Sequence, residues 1–252
     1  MPPSPKPDLA RQPPDAAHRR ASWAPELRYR LGRLLWLKVP GVTVVVWLFF
    51  IGYFHLLRHP ARPPLEMPIT AIDQAIVLQP SMFAAYVSLW VYVGVAPGLL
   101  PNLRQLLVYT FWAAALGIAG LLCFYFVPTA VPRTDMVIDP AQHPGFALLA
   151  GVDAAGNACP SMHVAFALYT AIWVERLLRD MAVPVAVRAL NLGWMLLIVY
   201  STLAIKQHVV FDVIGGALLA LLIAWPALRW FARVEAAASR RQPGRQGPPG
   251  AR

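Results

Sequence analysis

The sequence predicts an all-α fold, an integral membrane helical bundle with six transmembrane helices. Of the 252 residues, 58% are hydrophobic and only 13% are charged, which is too apolar for a soluble domain of this size. Apolar runs long enough to cross the ~30 Å hydrocarbon core as helices recur along the chain. The cations are concentrated in alternate connecting segments, as in membrane proteins that have a defined orientation.

Six apolar runs account for the predicted helices. Four contain no Asp, Glu, Lys or Arg, whereas the fourth and the last each carry an acidic residue near one end, Glu175 and Asp212. In chain order the runs are 39–57, 81–100, 106–127, 161–178, 189–205 and 209–228. Small residues in the third and fourth runs, such as Gly120 and Ala165, allow close packing against neighbouring helices.

The distribution of Lys and Arg predicts the orientation in the membrane. If both termini are cytoplasmic, 18 of the 22 cations lie on the cytoplasmic side and only four on the other. This bias is the positive-inside pattern of membrane proteins. We therefore expect an integral protein of the bacterial inner membrane with both termini in the cytoplasm.

The chain divides into one membrane domain and two tails. Residues 1–38 form a basic, proline-rich tail, residues 39–231 the six-span domain, and residues 232–252 a second basic tail. Both tails have the composition of disordered cytoplasmic segments, and their cations favour contact with anionic lipid. We expect no nucleic-acid partner, because no basic patch interleaved with aromatic residues accompanies this charge.

Two histidines lie at the extracytoplasmic ends of two predicted helices. His163 opens the fourth run in the segment CPSMH, and His208 precedes the last run in KQHVVFD. Because Asp212 follows His208 by four residues, a helix would place both on one face, where the carboxylate can orient the imidazole. Two histidines, one with a carboxylate partner, suit covalent phosphoryl transfer, in which one attacks phosphorus and the other protonates the leaving oxygen. The sequence therefore predicts that these three residues are catalytic.

Three further residues are candidates for binding phosphate. Ser161 follows a proline and can cap the fourth helix, whose free amides and dipole favour an anion. Arg133 lies in a proline-stiffened loop after the third run, and Lys206 lies two residues before His208. A guanidinium binds two phosphate oxygens in a fixed fork, so Arg133 is the stronger of the two cations. Lys206 can instead extend to lipid phosphates.

The loop at 59–80 is predicted to contain a short interfacial helix. Ile69, Ile72 and Ile76 recur at helical spacing, and Asp73 lies on another face. Elsewhere on the extracytoplasmic side, a disulfide between the two cysteines of the chain is conceivable, but we expect free, apolar thiols.

Taken together, the motifs resemble the type-2 phosphatidic acid phosphatase superfamily. The matching residues are Pro160-Ser161-Met162-His163, followed by Ser201-Thr202, five residues, His208, three residues and Asp212. The resemblance covers about residues 106–224 and has six spans in the expected order. This superfamily includes lipid phosphatases, inositol phosphorylceramide synthase-like transferases and the soluble vanadium haloperoxidases.

The resemblance implies a role for each motif residue. His208 would be the nucleophile that forms a phosphohistidine, Asp212 would fix its tautomer, and His163 would be the general acid. Ser161 and the amides that follow it would bind phosphate oxygens. The two histidines and the aspartate are also possible metal ligands by type. The resemblance, however, implies chemistry without a metal or another cofactor.

The sequence departs from the common pattern of the superfamily at three places. Met162 stands where a glycine is often found, and Thr202 stands where an arginine often follows the serine. The usual first motif, a lysine followed later by Arg-Pro, has Val131-Pro132-Arg133 as its nearest counterpart. These substitutions resemble the inositol phosphotransferase branch, which shows similar Pro-Ser-Met-His and Ser-Thr segments. Arg133 would then supply part of the missing positive charge.

We expect an enzyme that acts on a phospholipid or lipid phosphate at the extracytoplasmic face of the bilayer. Two reactions are open within this class: hydrolysis of a lipid phosphate or diphosphate, and transfer of a phospho-alcohol head group to a lipid hydroxyl. From another class, a non-catalytic transporter or scaffold of this fold is an alternative. A transporter should carry charged or helix-breaking residues deep in several spans, whereas the ionisable residues here lie at one face, which favours the enzyme.

Overall fold

The computed structural model describes residues 16–132 and 156–240, and within them the prediction of an all-α bundle is confirmed. The structure contains ten helices in these two ranges, together with one 3₁₀ turn at Pro80–Met82 and one small sheet. In chain order the helices are α1 (Ala16–Gly32), α2 (Leu35–Arg58), α3 (Ala71–Ala75), α4 (Phe83–Val87), α5 (Leu89–Tyr92), α6 (Val95–Gly98), α7 (Leu103–Phe126), α8 (Met162–Asp180), α9 (Val185–Ala204) and α10 (Val210–Arg240). The predicted phosphate ligand Arg133 lies outside the described residues.

Five helical segments of the described ranges are long and apolar enough to cross a membrane. They are Leu35–Arg58, Pro80–Gly98, Leu103–Phe126, Val185–Ala204 and Val210–Ala238. Each corresponds to one of the six predicted spans, with ends that differ by up to ten residues. α10 accounts for the largest difference, because it continues past the predicted end of the last span.

The remaining predicted span coincides with α8, which differs from the other five in composition. Its C-terminal part carries Glu175, Arg176 and Arg179. Eleven of its 19 residues are nevertheless buried, because α8 packs against α9, α10, α7 and the segments α5 and α6. A helix that is surrounded by protein needs little lipid-facing apolar surface. A sixth span therefore stays a prediction, and α8 is the central helix of the bundle.

The charged side chains at the C-terminal end of α8 pair with one another and with neighbouring helices. Glu175 accepts hydrogen bonds from Arg179 at 2.6 Å and from Arg188 of α9 at 2.5 Å. Arg176 pairs with Asp180 and, at 3.2 Å, with Glu235 of α10. These ion pairs join three helices at the end of the bundle opposite to the two histidines.

The second predicted span is not one continuous helix. It consists of the 3₁₀ turn followed by α4, α5 and α6. Ser88 donates its hydroxyl proton to the carbonyl of Ala85 at 2.6 Å, which competes with regular helical bonding. Pro97 has no N–H to donate and Gly94 lowers helix propensity. The long uncharged run predicted the span, but these residues interrupt the helix.

A small β-sheet joins three loop segments beside the histidines. Strand β1 (Leu65–Glu66) pairs in parallel with β2 (Thr129–Ala130), and Ala130 also forms an antiparallel bridge with Gly156. The three chain segments that contribute to this small sheet follow α2, follow α7 and precede α8. The sheet therefore fixes the loops that surround the N-terminal end of α8.

The predicted short helix in the loop at 59–80 forms as α3. Thr70 and Asp73 make a reciprocal capping box at its start. Asp73 is buried, whereas Ile69 and Ile72 are exposed. Asp73 thus lies on a different face from these two isoleucines, as predicted, and its face is the one that packs against the rest of the protein.

Candidate active site

The N-terminal ends of α8 and α10 meet at one end of the bundle, which we call the histidine end because His163 and His208 lie there. The amide of Ser161 donates to the carbonyl of Asp212 at 2.9 Å. At Gly216, an added Cβ would lie only 2.3 Å from the carbonyl oxygen of Ser161. The absence of a side chain at Gly216 thus permits the approach that brings the two histidine-bearing segments together.

His208 and Asp212 form the predicted pair. Nδ1 of His208 lies 3.3 Å from Oδ2 of Asp212, and the carboxylate is fully buried. The helix begins only at Val210, however, so His208 precedes α10 and does not belong to it. The two residues still pair, because the Asp212 carboxylate lies over the segment that precedes the helix. There its Oδ2 also accepts a hydrogen bond from the amide of Val209 at 2.9 Å. With Nδ1 donating to the carboxylate, Nε2 of His208 carries the lone pair.

His163 lies beside His208 but has different neighbours. The two ring centroids are 6.3 Å apart. The His163 imidazole stacks on Tyr86, with centroids 3.9 Å apart and an interplanar angle of 15°, and it meets the edge of Trp90 at 5.5 Å. Aromatic packing, rather than a carboxylate, therefore holds the His163 ring in place.

Two polar atoms at the histidine end have no hydrogen-bond partner within residues 16–132 and 156–240. They are Nε2 of His163 and Oδ1 of Asp212, and both are buried. Buried polar atoms in native proteins are nearly always paired, so each exception needs an explanation. An unpaired imidazole nitrogen beside a second histidine is the arrangement expected of a group that waits for a substrate proton or oxygen.

Ser161 caps α8, as the sequence predicts. Its Oγ accepts from the amide of Val164 at 3.4 Å, and its side chain is fully buried. Met162 fills the position where the superfamily often has glycine, and it points into the bundle. Its sulfur would lie 2.2 Å from a Cβ added at Gly120, so Met162 packs tightly against α7. Contact between Ser161 and phosphate stays a prediction.

Lys206 lies in a left-handed backbone conformation, with φ of 59°, directly before the His208 segment. Its ammonium donates to the carbonyl of Asp73 at 2.7 Å and to the carbonyl of Ile76. Two of its three protons are thus used to hold the end of α3. Contact between Lys206 and phosphate stays a prediction that depends on the third proton.

Four residues that complete the site are not among the site residues predicted from the sequence. Asp73 accepts from the amide of Val210 at 2.9 Å and thereby fixes the start of α10. Tyr86 and Trp90 enclose His163, and Gly216 permits the contact between helices. Of these four, only Gly216 could have been identified from the sequence around it, because the pair Gly215-Gly216 interrupts an apolar helix one turn after Asp212.

The two cysteines, Cys123 and Cys159, are both free, as expected. Cys159 lies close to the site, and its amide donates to the hydroxyl of Thr129 at 2.8 Å. Burial, and then the nearby charge of Asp212, raise the pKa of the Cys159 thiol to about 11. The thiol is therefore protonated at neutral pH and is a poor nucleophile.

Comparison with known protein families matches residues 65–226 to the PAP2 superfamily. No match to the chain was found among curated proteins or among solved structures. The matched range includes α3, the segments α4 to α6 and every histidine-end residue described above. It also begins earlier than the resemblance at 106–224, which rested on the motifs from Pro160 to Asp212 and on the order of the spans. Since the match covers well over half of the chain and contains both histidine motifs, the protein belongs to the PAP2 superfamily.

Proposed function

We propose that the protein is an integral membrane enzyme that removes or transfers a phosphoryl group on a lipid phosphate or diphosphate through a phosphohistidine. The observation that carries this proposal is the pair of adjacent histidines, of which only His208 has a carboxylate partner among residues 16–132 and 156–240. Family membership and five apolar helices fit a membrane lipid phosphatase.

In the first step, Nε2 of His208 attacks phosphorus while the bond to the leaving oxygen breaks. Asp212 supports this attack, because it holds the Nδ1 proton and stabilises the imidazolium that develops. The leaving oxygen takes a proton from Nε2 of protonated His163, which has no other partner among the described groups, and His163 becomes neutral. The two ring centroids lie 6.3 Å apart, so both imidazoles can reach one phosphoryl group.

In the second step, an acceptor hydroxyl attacks the phosphohistidine. Neutral His163 takes the proton of this acceptor, the N–P bond breaks, and His208 is regenerated. If the acceptor is water, the product is free phosphate. General acid–base catalysis of this kind contributes on the order of 10²–10⁴-fold to the rate.

The charge that develops on the phosphoryl oxygens needs positive donors. We assign this role to Ser161 with the amides at the start of α8, to Arg133, and to the third proton of Lys206. The first of these is supported by the position of Ser161 as the cap of a long helix. No metal or other cofactor is part of the proposal.

Transfer of a phospho-alcohol head group to a lipid hydroxyl is the second candidate reaction. The Pro-Ser-Met-His segment favours it, and Met162 is accommodated here by close packing against Gly120. Both reactions pass through a phosphohistidine. In head-group transfer the phosphorus on His208 keeps its head-group alcohol, and the acceptor is a lipid hydroxyl instead of water. A transporter or scaffold is disfavoured, because the unpaired polar atoms of His163 and Asp212 lie at one end of the bundle.

We also propose six spans with cytoplasmic termini, which would place the histidine end at the extracytoplasmic face of a bacterial inner membrane. This orientation rests on the cation bias of the sequence. A reporter fused after residue 140 should then report the extracytoplasmic side, and one fused after Arg240 the cytoplasm. Identical reports from both fusions would contradict the six-span topology.

The reaction is tested by incubating the purified full-length protein with phosphatidic acid, a polyprenyl diphosphate and phosphatidylinositol plus a ceramide. Release of free phosphate identifies a hydrolase, and a new phospholipid identifies a transferase. A denatured sample should retain acid-labile phosphate on histidine after brief reaction. Absence of turnover and of phosphoenzyme with every lipid would overturn the proposed function.

A further inference from the structure

An open cleft lies between α7 and α10, toward the end of the bundle opposite to the histidines. It has a volume of about 570 Å³. Its wall includes three tryptophans and two arginines: Trp112 of α7, and Trp225, Arg229, Trp230 and Arg233 of α10. None of the described residues that line it is acidic. We call this surface the Arg–Trp cleft.

The spacing along α10 places both arginines on one face of the helix. Trp225, Arg229 and Arg233 follow one another at intervals of four residues, and side chains four apart are neighbours on a helix surface. Trp112 forms the opposite wall, where its ring meets Trp230 with centroids 6.0 Å apart and an interplanar angle of 87°. The packing of α7 against α10 thus gives the two arginines a fixed aromatic surround.

The positive charge of the cleft is not neutralised by the protein. The guanidinium of Arg229 lies over the Trp225 ring, 4.3 Å from its centroid. Neither arginine forms an ion pair with a residue that the structure describes. Glu235, two residues after Arg233, accepts instead from Arg176 at 3.2 Å and from Gln105 at 3.0 Å. The cleft therefore presents two positive charges to a ligand from outside the protein.

The position of the cleft along α10 corresponds to the headgroup level of a bilayer. Arg229 follows Val210 by 19 residues, which is about 28 Å of helix, and the hydrocarbon core is ~30 Å thick. A span that begins at Val210 therefore places Arg229 at the far edge of the core. Trp225 and Trp230 are 64% and 41% exposed, and tryptophans are typical of this boundary. The cleft thus opens toward lipid headgroups.

We propose that the Arg–Trp cleft binds the phosphodiester of one anionic phospholipid, in the leaflet opposite to the histidine end. A guanidinium that lies over an aromatic ring keeps its N–H groups for phosphate, and two neighbouring guanidiniums can share the oxygens of one phosphodiester. The tryptophan rings offer apolar faces to the glycerol and the first methylene groups. A zwitterionic lipid fits less well, because its ammonium meets no carboxylate among the described residues that line the cleft.

A lipid bound in the cleft would connect α7 to α10. A ligand that binds only the folded state raises its stability, so this lipid should raise the temperature of thermal unfolding. The site lies about one bilayer thickness from the histidines, and the proposal does not depend on the reaction that they perform.

Two arginines provide matched variants. Arg104 lies near the start of α7, next to Gln105, which contacts Glu235 at this same end of the bundle. It is exposed and does not line the cleft. Arg229→Gln and Arg104→Gln thus remove the same charge at the same end, but only the first changes the cleft. Arg229→Lys keeps the charge and removes the fork of donors.

The test is native mass spectrometry of the purified full-length protein in detergent, titrated with phosphatidylglycerol or with phosphatidylcholine of the same acyl chains. The wild type should bind one phosphatidylglycerol about tenfold more tightly than phosphatidylcholine. Arg229→Lys and Arg229→Gln should each weaken phosphatidylglycerol binding by about tenfold, as expected for the loss of a hydrogen bond between charged groups. Arg104→Gln should bind it as the wild type does. Phosphatidylglycerol should also raise the unfolding temperature of the wild type and of Arg104→Gln more than that of the Arg229 variants.

Four results would overturn the proposal. Equal losses in Arg229→Gln and Arg104→Gln, or full binding by Arg229→Lys, would indicate a general attraction between charges. Full binding by Arg229→Gln would place the lipid elsewhere, the histidine end included. Displacement of phosphatidylglycerol by an equal concentration of glycerol 3-phosphate would indicate a site for a soluble phosphate. Equal affinity for phosphatidylcholine would indicate an ordinary bilayer contact.

Discussion

The two ends of α8 use their polar side chains differently. At the C-terminal end, Glu175 and Arg176 pair with side chains of α8 itself and with residues of α9 and α10. At the N-terminal end, Nε2 of His163 is buried and has no partner in the described part of the chain. Pairing every charge stabilises an arrangement of helices, whereas a buried unpaired nitrogen costs stability. This contrast separates a structural end from a candidate catalytic end.

Substitution of the two histidines should have the largest effect on turnover, and it tests whether the histidine end is catalytic. His208→Ala should abolish turnover and phosphoenzyme, because it removes the nucleophile. His163→Ala should lower turnover of a lipid phosphate by about 10²–10⁴-fold, the usual contribution of a general acid. Measurement of kcat with lipid phosphate and with nitrophenyl phosphate, alongside phosphoenzyme, distinguishes the two roles.

Nitrophenyl phosphate provides the control for this comparison, because its leaving group departs with little protonation. His163→Ala should recover much of its activity on this substrate, and His208→Ala should recover none. Equal losses in both variants on both substrates would contradict the assigned division of roles.

The next largest effect on turnover is expected when the close contact between α8 and α10 at the histidine end is disturbed. Gly216→Ala places a methyl group 2.3 Å from the carbonyl oxygen of Ser161, so the two helix ends must separate. Displacement of a catalytic group by 1 Å can lower kcat by about 10²-fold, and overpacking costs about 1–3 kcal/mol in the free energy of unfolding. Turnover and thermal unfolding in detergent measure both quantities.

Gly193→Ala on α9 is the matched control, because its Cβ would meet nothing within 4 Å. It should leave turnover unchanged, and it should keep or slightly raise stability through helix propensity. A Gly216→Ala enzyme as active as this control would show that the close approach is not needed for the site.

A smaller effect is expected at Asp73, which connects α3 to the start of α10. Its Oδ1 accepts from the amide of Val210, and its Oδ2 accepts from the amide and hydroxyl of Thr70. Asn keeps one of the two oxygens, so Asp73→Asn should lose at least one of these bonds, at a cost of about 1–3 kcal/mol. We expect kcat to fall about tenfold with little change in KM, because Asp73 positions the His208 segment without touching substrate.

Kinetics with nitrophenyl phosphate check this prediction, and Asp73→Glu tests whether a carboxylate alone is sufficient. Glu66→Gln removes an exposed carboxylate from the neighbouring strand β1 and should be close to neutral. A pure increase in KM for Asp73→Asn would place Asp73 in substrate binding instead.

The smallest effect on catalysis should come from the structural end of α8. Glu175→Gln removes a charge that accepts from Arg179 and Arg188, and all three side chains are at least partly exposed. Partly exposed ion pairs contribute up to ~1 kcal/mol, so we expect a small decrease in thermal stability in detergent and unchanged kcat. A large loss of kcat in Glu175→Gln would contradict the distinction between a structural end and a candidate catalytic end of α8.

The sequence predicted the features that depend on neighbouring residues. The apolar runs predicted five of the membrane-crossing helices and located α8, because lipid demands long uninterrupted apolar segments. The spacing of His208 and Asp212 predicted their pairing, and Pro160-Ser161 predicted the cap of α8. The two motif signals act within one or two helical turns, and each apolar run lies within one continuous stretch of sequence.

Other features were decided only by the tertiary structure. Tyr86 stacks on His163 from 77 residues away, and Asp73 reaches the amide of Val210 across 137 residues. An apolar cleft lined by α2, α7 and α8 likewise combines helices that are separated in the chain. A local pattern gives each residue a helix and a face, but it carries no information about which distant face packs against it. The chain by itself therefore determined the spans and the histidine motifs. Packing determined what surrounds His163 and what holds His208, because those contacts exist only when the helices have assembled.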